Sequence, residues 1–175
     1  MRVCTPENLQ LISKSLTGVD FESKSLLDVG CGSGLSGQSL KKVGFQTFDG
    51  VDAAESFMQV SKDSGNYRNL SIGKIDETEK LPYEDASYEA VLCAGCISAG
   101  HIKSEHGIPE FIRLLKKGGI AVYTIAPMLD FGAVMQDHVP YVQSKAIEII
   151  SLEKKFYLNV ENNPRYCNIY CIRKL

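Results

Sequence analysis

The sequence predicts an α/β fold, with one mostly parallel sheet of seven strands sandwiched in three layers between helices and ending in a C-terminal antiparallel hairpin. Three observations carry this expectation. Apolar strand patterns alternate with helix patterns along the chain. A glycine-rich turn follows the first apolar run directly, in "SLLDVGCGSGLSGQSL". The last two strand patterns, "KFYLNV" and "CNIYCIRK", flank the turn residues Asn162, Asn163 and Pro164 with no room for a crossover helix.

Each element has a local reason. Thr5, Pro6 and Glu7 supply an N-cap, a first-turn proline and a first-turn acid, and Leu9, Ile12 and Leu16 share one face until Gly18. Ser25 to Val29 reads as a buried strand, and the stretch after Ser33 as a helix reaching about Val43, where Gly44 stops it. "FQTFDGVD" forms a second strand ending at Asp52, followed by a helix around Glu55 to Ser61 and a strand from Leu70 to Ile75. After the loop "DETEKLPYEDAS" comes a strand from Tyr88 to Cys93. Phe111, Ile112, Leu114 and Leu115 mark a helix after Pro109 that stops at Gly118 and Gly119, and "IAVYTIA" is the next strand. Val142, Ala146 and Ile149 place a last helix over Val139 to Leu152, before the hairpin.

A length of 175 residues suits one domain, and no repeat, low-complexity tract or second core interrupts residues 1–175. With 44% hydrophobic and 23% charged residues the composition is that of a soluble protein, and no apolar run approaches a membrane span. The N-terminus carries neither a signal-peptide core nor a transit-peptide pattern, so a cytoplasmic or nuclear location is expected. A net charge of −2, with no basic cluster beyond lysine pairs, argues against nucleic-acid binding. Six cysteines in a chain with that address read as free thiols.

The glycine turn contains two overlapping fingerprints. Gly30, Gly32 and Gly34 spell G-x-G-x-G, whereas Gly32, Gly34 and Gly37 spell the G-x-G-x-x-G of dinucleotide binders. Both bring a ligand against the backbone at a strand end, before a helix N-terminus. Asp28 separates them: a carboxylate at the strand tip repels a pyrophosphate but suits S-adenosylmethionine, which carries a sulfonium and an α-ammonium. Asp52, 20 residues after Gly32, is placed to take both hydroxyls of a ribose. Asp76, just after the third strand, is placed to accept from an adenine amine, with Ile75 or Ala53 against the ring.

In this order "LLDVGCGSG", "GVDAAESFMQVSK", "KIDETEKLPYEDASYEAVL" and "LLKKGGIAVYT" resemble the class I S-adenosylmethionine-dependent methyltransferases, with their Rossmann-like fold. "AVLCAGCISAGHI" followed by "IPEFIRLLKKGG" looks more closely like the methyltransferase-like protein 27 group. The resemblance implies that Asp28, Gly30, Cys31, Gly32 and Gly34 hold the methionine part, Asp52 the ribose, and Asp76 or Glu77 the adenine end, with Ala53 beside the ring. It further implies that Cys93, Ala94 and Gly95 floor the methionine pocket. The loop "DETEKLP" is one residue longer than the family's usual pattern, and Lys117 stands where a proline is common. Members also carry a longer segment before the glycine turn, so a short or missing lid is expected over residues 1–24.

Competing readings attach to several residues. The glycines alone would suit any tight turn, but three acids at three strand tips call for a ligand. Ser98, His101 and His106 share one loop on the ligand side of the sheet. His101 is the candidate general base, although a lone loop histidine is more often simply solvated, as His106 and His138 are expected to be. Acceptor contacts are expected from that loop and from Pro127 to Tyr141. Cys93-x-x-Cys96 has redox or half-zinc spacing yet lacks a second pair and a helix N-terminus, so packing accounts for it and no metal is expected. Tyr83, Tyr88 and Tyr123 read as core or sheet-flank residues, with Tyr83 also placed to edge the adenine pocket.

These features point to methyl transfer from S-adenosylmethionine to a small-molecule or protein acceptor, chiefly by orienting the acceptor opposite the sulfonium. Two alternatives stand beside it: a non-catalytic cofactor-binding or regulatory protein of the same fold, and an NAD(P)-dependent oxidoreductase. The last lacks a visible proton relay.

Overall fold

A computed structural model describes residues 25–127 and 129–175. The helix expected over Thr5 to Leu16, and the lid expected over residues 1–24, lie outside the described residues. In chain order the elements are β1 (Leu26–Val29), α1 (Leu35–Lys42), β2 (Phe48–Asp52), α2 (Glu55–Asp63), β3 (Leu70–Ile72), β4 (Tyr88–Ile97), α3 (Ser104–Leu114), β5 (Leu115–Ile125), α4 (Phe131–Gln143), β6 (Ile147–Val160) and β7 (Asn163–Lys174).

The strands form one sheet in the order β3-β2-β1-β4-β5-β7-β6. The first five run parallel and β7 is antiparallel to both β5 and β6. The order reverses at β1, so the carboxyl ends of β1, β2 and β4 open together onto a crevice where ligands of such sheets bind. All four residues of β1 are buried, as a central parallel strand covered on both faces requires.

Two cores flank the sheet. On one side Leu27, Val29, Val91 and Ala121 pack with Ile108 and Phe111 of α3 and Val134 of α4. On the other Leu26, Phe48, Leu92 and Val122 pack with Leu40 of α1 and with Phe45. Alternation along β1 divides Leu26 and Leu27 between the two cores, as the period of a strand dictates.

Two helices differ from the sequence expectation. α3 starts at Ser104, with Pro109 inside it. A proline so near the start removes one N–H, the one that would have met the Glu105 carbonyl. Gly118 and Gly119 do not end a helix but lie within β5, which begins at Leu115. The last helix spans Phe131–Gln143, and residues from Ile147 onward are strand, against the helix expected over Val139 to Leu152. Asp130 caps α4 by accepting from the Gly132 N–H at 2.8 Å, and Lys145 at φ +57° ends the local helical path. Beyond it, cross-strand pairing of Ile147 through Val160 with β7 outweighs the helical spacing of Val142, Ala146 and Ile149.

The hairpin turn is Glu161 and Asn162, at φ +49° and +63°. This two-residue loop, with Val160 opposite Asn163, has the sense that matches strand twist. Pro164 sits at the start of β7, beyond the Asn168 position where pairing with β5 begins, so only one neighbouring strand is present there.

Candidate functional site

The site begins at the tips of β1 and β2. Beyond Val29 the chain turns through Gly30 at φ +72° and Gly32 at φ +52°, conformations that favour glycine. The N–H groups of Gly30 and Cys31 donate to the Val51 carbonyl at 2.8 and 3.1 Å, joining the turn to β2. A Cβ on Gly30 would overlap Cys96 Sγ, which lies 3.5 Å from the Gly30 carbonyl oxygen.

Asp52 is oriented by backbone. Its Oδ2 accepts from the Gly32 N–H and its Oδ1 from the Ala54 N–H, each at 2.8 Å. Each oxygen keeps a further lone pair. Ser61 of α2 donates to the Gly32 carbonyl at 2.5 Å, so Gly32 is held on both sides. Asp52 borders a cavity of about 220 Å³ whose walls include Gly30, Ala53, Asp76, Cys96 and His101, while Cys31, Gly32 and Gly34, expected at the ligand, stand behind that wall.

Asp76 reaches the cavity wall while serving its own turn. Its Oδ1 accepts from the Thr78 N–H at 2.8 Å, the Thr78 hydroxyl at 2.9 Å and the Glu79 N–H at 2.9 Å. Its Oδ2 pairs with Lys74 at 2.5 Å. Lys74 foremost, with the Thr78 donors, holds this carboxyl well below the usual carboxylate range. Glu77 is exposed and does not border the cavity. Of the two acids expected at adenine, Asp76 is the one that borders the cavity. Tyr83, the other residue expected there, packs edge-on against Tyr88 at 5.4 Å between ring centres instead.

Asp28 is placed differently from expectation. It is wholly buried, outside the cavity wall, and its Oδ2 accepts from Ser36 Oγ and from the Tyr67 hydroxyl at 2.8 Å. Burial raises its pKa to about 6, against the lowering effect of the two hydroxyls. Tyr67 in turn accepts from the Gly37 N–H at 3.2 Å, and a Cβ on Gly37 would meet the Tyr67 ring carbon Cζ at 2.8 Å. The strand-tip acid therefore braces the glycine turn to the first turn of α1. Gly37, the third glycine of the dinucleotide fingerprint, is small because Tyr67 lies on it. Gly34, at φ +86°, is the residue from which α1 starts. Cys31 is buried, and burial pushes its thiol up.

At the end of β4 the expected floor is shifted. Cys93 is fully buried in the core, Ala94 packs toward the opposite core, and the Gly95 N–H donates to Thr124 Oγ1 at 2.6 Å. None of the three borders the cavity, whereas Cys96 does. The pairing of β4 with β5 is irregular between Cys93 and Ile97, and Gly95 has φ +81°. This bulge re-aims the strand, so that the consecutive residues Cys96 and Ile97 pack on one core. Counting alternation from Cys93 misses Cys96 for that reason; the glycine in "CAGC" is the signal that could have found it.

Of the three histidines, His101 borders the cavity. His106 lies 3.4 Å from Glu105. His138, expected to be solvated, is buried and stacked on Tyr170 with 4.7 Å between ring centres. Its Nδ1 donates to the Val134 carbonyl at 2.8 Å and its Nε2 accepts from Tyr123 at 2.5 Å. Burial lowers its pKa, so it is a neutral core residue.

One wall of the cavity hangs from α3. The buried Glu110 accepts from the Leu81 N–H at 2.8 Å and from Arg113 at 2.7 and 2.8 Å. Arg113 also donates to the carbonyls of Tyr83 at 2.7 Å and Leu81 at 3.2 Å and to Asp85 at 2.7 Å. This clamp holds the 81–85 loop, and Leu81 is part of the cavity wall.

A methyltransferase domain model matches residues 26–119. The human methyltransferase-like protein 27 is 33% identical over 102 residues, covering 58% of this chain and 40% of that protein. The chain spans between 20% and 49% of the length of the first curated relatives it matches. Among solved structures, a SAM-dependent methyltransferase from Methanosarcina mazei superposes with a TM-score of 0.66 at 17% identity, covering 88% of this chain and 93% of that one. The cyclase SpnF does so with a TM-score of 0.68 at 16% identity, covering 95% and 80%. No helix among the described residues is long and apolar enough to cross a membrane.

Proposed function

The chain belongs to the methyltransferase-domain family, and from that premise we propose that it holds S-adenosylmethionine in the Asp52 cavity and transfers a methyl group to a small-molecule or protein acceptor. The observation that carries the reading is Asp52: a carboxylate at a strand tip, both oxygens oriented by backbone N–H groups, facing a cavity bordered by the glycine turn. A volume of about 220 Å³ is below the usual range for a whole small-molecule ligand, so the cavity takes the nucleoside end while the amino-acid end runs along the glycine turn.

Asp52 offers its remaining lone pairs to ribose hydroxyls, Ile75 and Ala53 offer apolar surface to the base, and Asp76 offers what its turn leaves free. Gly30, Gly32 and Gly34 keep the backbone approachable. When bound, S-adenosylmethionine supplies a methyl group already activated by its sulfonium. The residues of this chain then need to orient an acceptor, which is worth up to about 7–11 kcal/mol of barrier. His101, on the cavity border, is the residue positioned to take a proton where the acceptor must lose one.

A second reading keeps cofactor binding without methyl transfer. Its support is the likeness to a cyclase, since one fold hosts unrelated chemistries. Calorimetric titration with S-adenosylmethionine, S-adenosylhomocysteine and NADH tests both readings. Sulfonium and thioether ligands bind while NADH does not, and Asp52→Ala weakens binding about a hundredfold, which is close to 3 kcal/mol. Tight NADH binding without S-adenosylmethionine binding would sink the reading, and binding with no turnover across an acceptor panel would favour the second.

A further inference from the structure

A second cleft, of about 500 Å³, opens beside the first at the carboxyl end of β5. Its walls include Ala126, Phe131, Lys154, Arg165, Tyr166 and Asn168, and no acid contributes to them. We propose that this cleft is the acceptor subsite and that it selects an organic anion, pairing a carboxylate or phosphate with Lys154 and Arg165 while an apolar body lies on Phe131 and Tyr166. The assignment as acceptor subsite rests on the methyltransferase reading above; the anion selectivity does not.

Three features carry it. The first is adjacency. The Ala126 N–H donates to the Ile97 carbonyl at 3.0 Å, and Ile97 bridges to Ile102. Cys96 and Ile102 border the Asp52 cavity and Ala126 borders the second cleft, so the walls of the two are joined at the neighbouring ends of β4 and β5. The second is uncompensated charge. Among the described residues, neither Lys154 nor Arg165 has a carboxylate within ion-pair distance. Glu153 pairs with Lys155 at 2.7 Å. The acid next in sequence to the cleft, Asp130, is engaged with the Gly132 N–H as the cap of α4. In a chain of net charge −2, a cleft with two cations and no acid is a local exception.

The third is a surface for the rest of the molecule. Phe131 and Tyr166 are 47% and 44% exposed, and Lys154 Nζ lies 5.6 Å from the centre of the Tyr166 ring. That contact holds the ammonium beside the ring without neutralising it. An anion with an aromatic or other flat apolar body satisfies both parts at once.

The test uses benzoate and phenyl phosphate as anionic probes and benzamide as their neutral counterpart, titrated into the full chain with S-adenosylhomocysteine present. At least one anion binds tenfold or more tightly than benzamide, and which one is preferred distinguishes carboxylate from phosphate. The double variant Lys154→Glu, Arg165→Glu, both exposed positions, loses at least tenfold in anion affinity while its affinity for S-adenosylhomocysteine stays within twofold. Equal binding of benzamide, or anion affinity untouched by the charge reversal, overturns the proposal. If S-adenosylhomocysteine does not bind yet the anion response survives, the methyltransferase reading has failed and the anion site stands.

Discussion

The two clefts at the carboxyl edge of the sheet are built on opposite plans. The first is made of backbone: strand tips, glycines and a carboxylate whose oxygens are set by the N–H groups of Gly32 and Ala54. The second is made of side chains on a hairpin that runs past the end of β5, with Lys154 and Arg165 in place of Asp52 and Asp76. Backbone construction gives a site that few substitutions can adjust. Side-chain construction gives one that is retuned by changing charge, which suits a rigid cofactor in the first and a variable acceptor in the second.

The largest separation of the two is expected from Asp52→Ala, which removes about a hundredfold of S-adenosylhomocysteine affinity and leaves benzoate and phenyl phosphate binding unchanged. A parallel loss at both clefts in calorimetry would mean that they are one site. Next comes Arg113→Ala. It leaves the buried carboxylate of Glu110 without its cation and releases the Leu81 wall, so the protein loses about 3 kcal/mol in urea unfolding. In the folded protein S-adenosylhomocysteine affinity falls while anion affinity holds.

Asp28, buried behind the glycine turn, gives the fold a pH signature. Its folded pKa, about 6, lies above the 3.8 of an unfolded aspartate. The stability it contributes is therefore complete below about pH 3.8 and is lost as pH rises through about 6, up to roughly 3 kcal/mol. In Asp28→Asn this fall is absent, so the difference between wild-type and variant stability from urea curves at each pH isolates it. Asp49 works in the other direction. Arg68 and Asn69 outweigh its desolvation and lower its pKa, so its contribution is present at neutral pH and lost on acidification.

Gly30→Ala meets both a left-handed backbone and the Cys96 thiol, for a combined cost of about 2 kcal/mol. Adding Cys96→Ala relieves the overlap but not the backbone cost, so thermal melts recover only part. The smallest effect is that of salt. Between about 50 and 200 mM KCl the anion probes weaken several-fold, because Lys154 and Arg165 pair at an open, screened surface. S-adenosylhomocysteine, held by oriented backbone-linked groups, changes by less than about twofold.

The first cleft was legible in part, through Gly30, Asp52, Ala53 and Asp76, and the second was not. Gly30, Gly32 and Asp52 belong to short strand-end motifs, and a buried parallel strand followed by a glycine turn leaves little freedom in where its tip residues go. The strand expected from Leu70 to Ile75 ends at Ile72, so Asp76 reaches the cavity from a loop turn of its own and not from a strand tip. Asp28 lies in the same motif, yet its partners Ser36 and Tyr67 come from α1 and from the approach to β3, and they turn it inward. Cys96 escaped because the bulge at Gly95 breaks the alternation on which any face assignment rests. The clamp of Glu110 and Arg113 joins α3 to a loop some 30 residues earlier, a distance that spacing does not report. The segment from Phe131 to Leu152 shows the limit most plainly. Its apolar spacing supports a helix, but after Lys145 the chain meets β7 and pairing across strands takes over.

By itself the sequence determined the α/β alternation, the glycine turn, the acids Asp28 and Asp52 at the ends of the first two strands and the closing hairpin, because each depends on local backbone preference and on burial repeating at a fixed period. Only the tertiary structure decided that Asp28 braces the turn from behind, that Cys96 borders the cavity, and that Lys154 and Arg165 share a cleft next to it. Those outcomes depend on which distant segments pack together, and in a folded chain packing, not local preference, sets where a side chain ends.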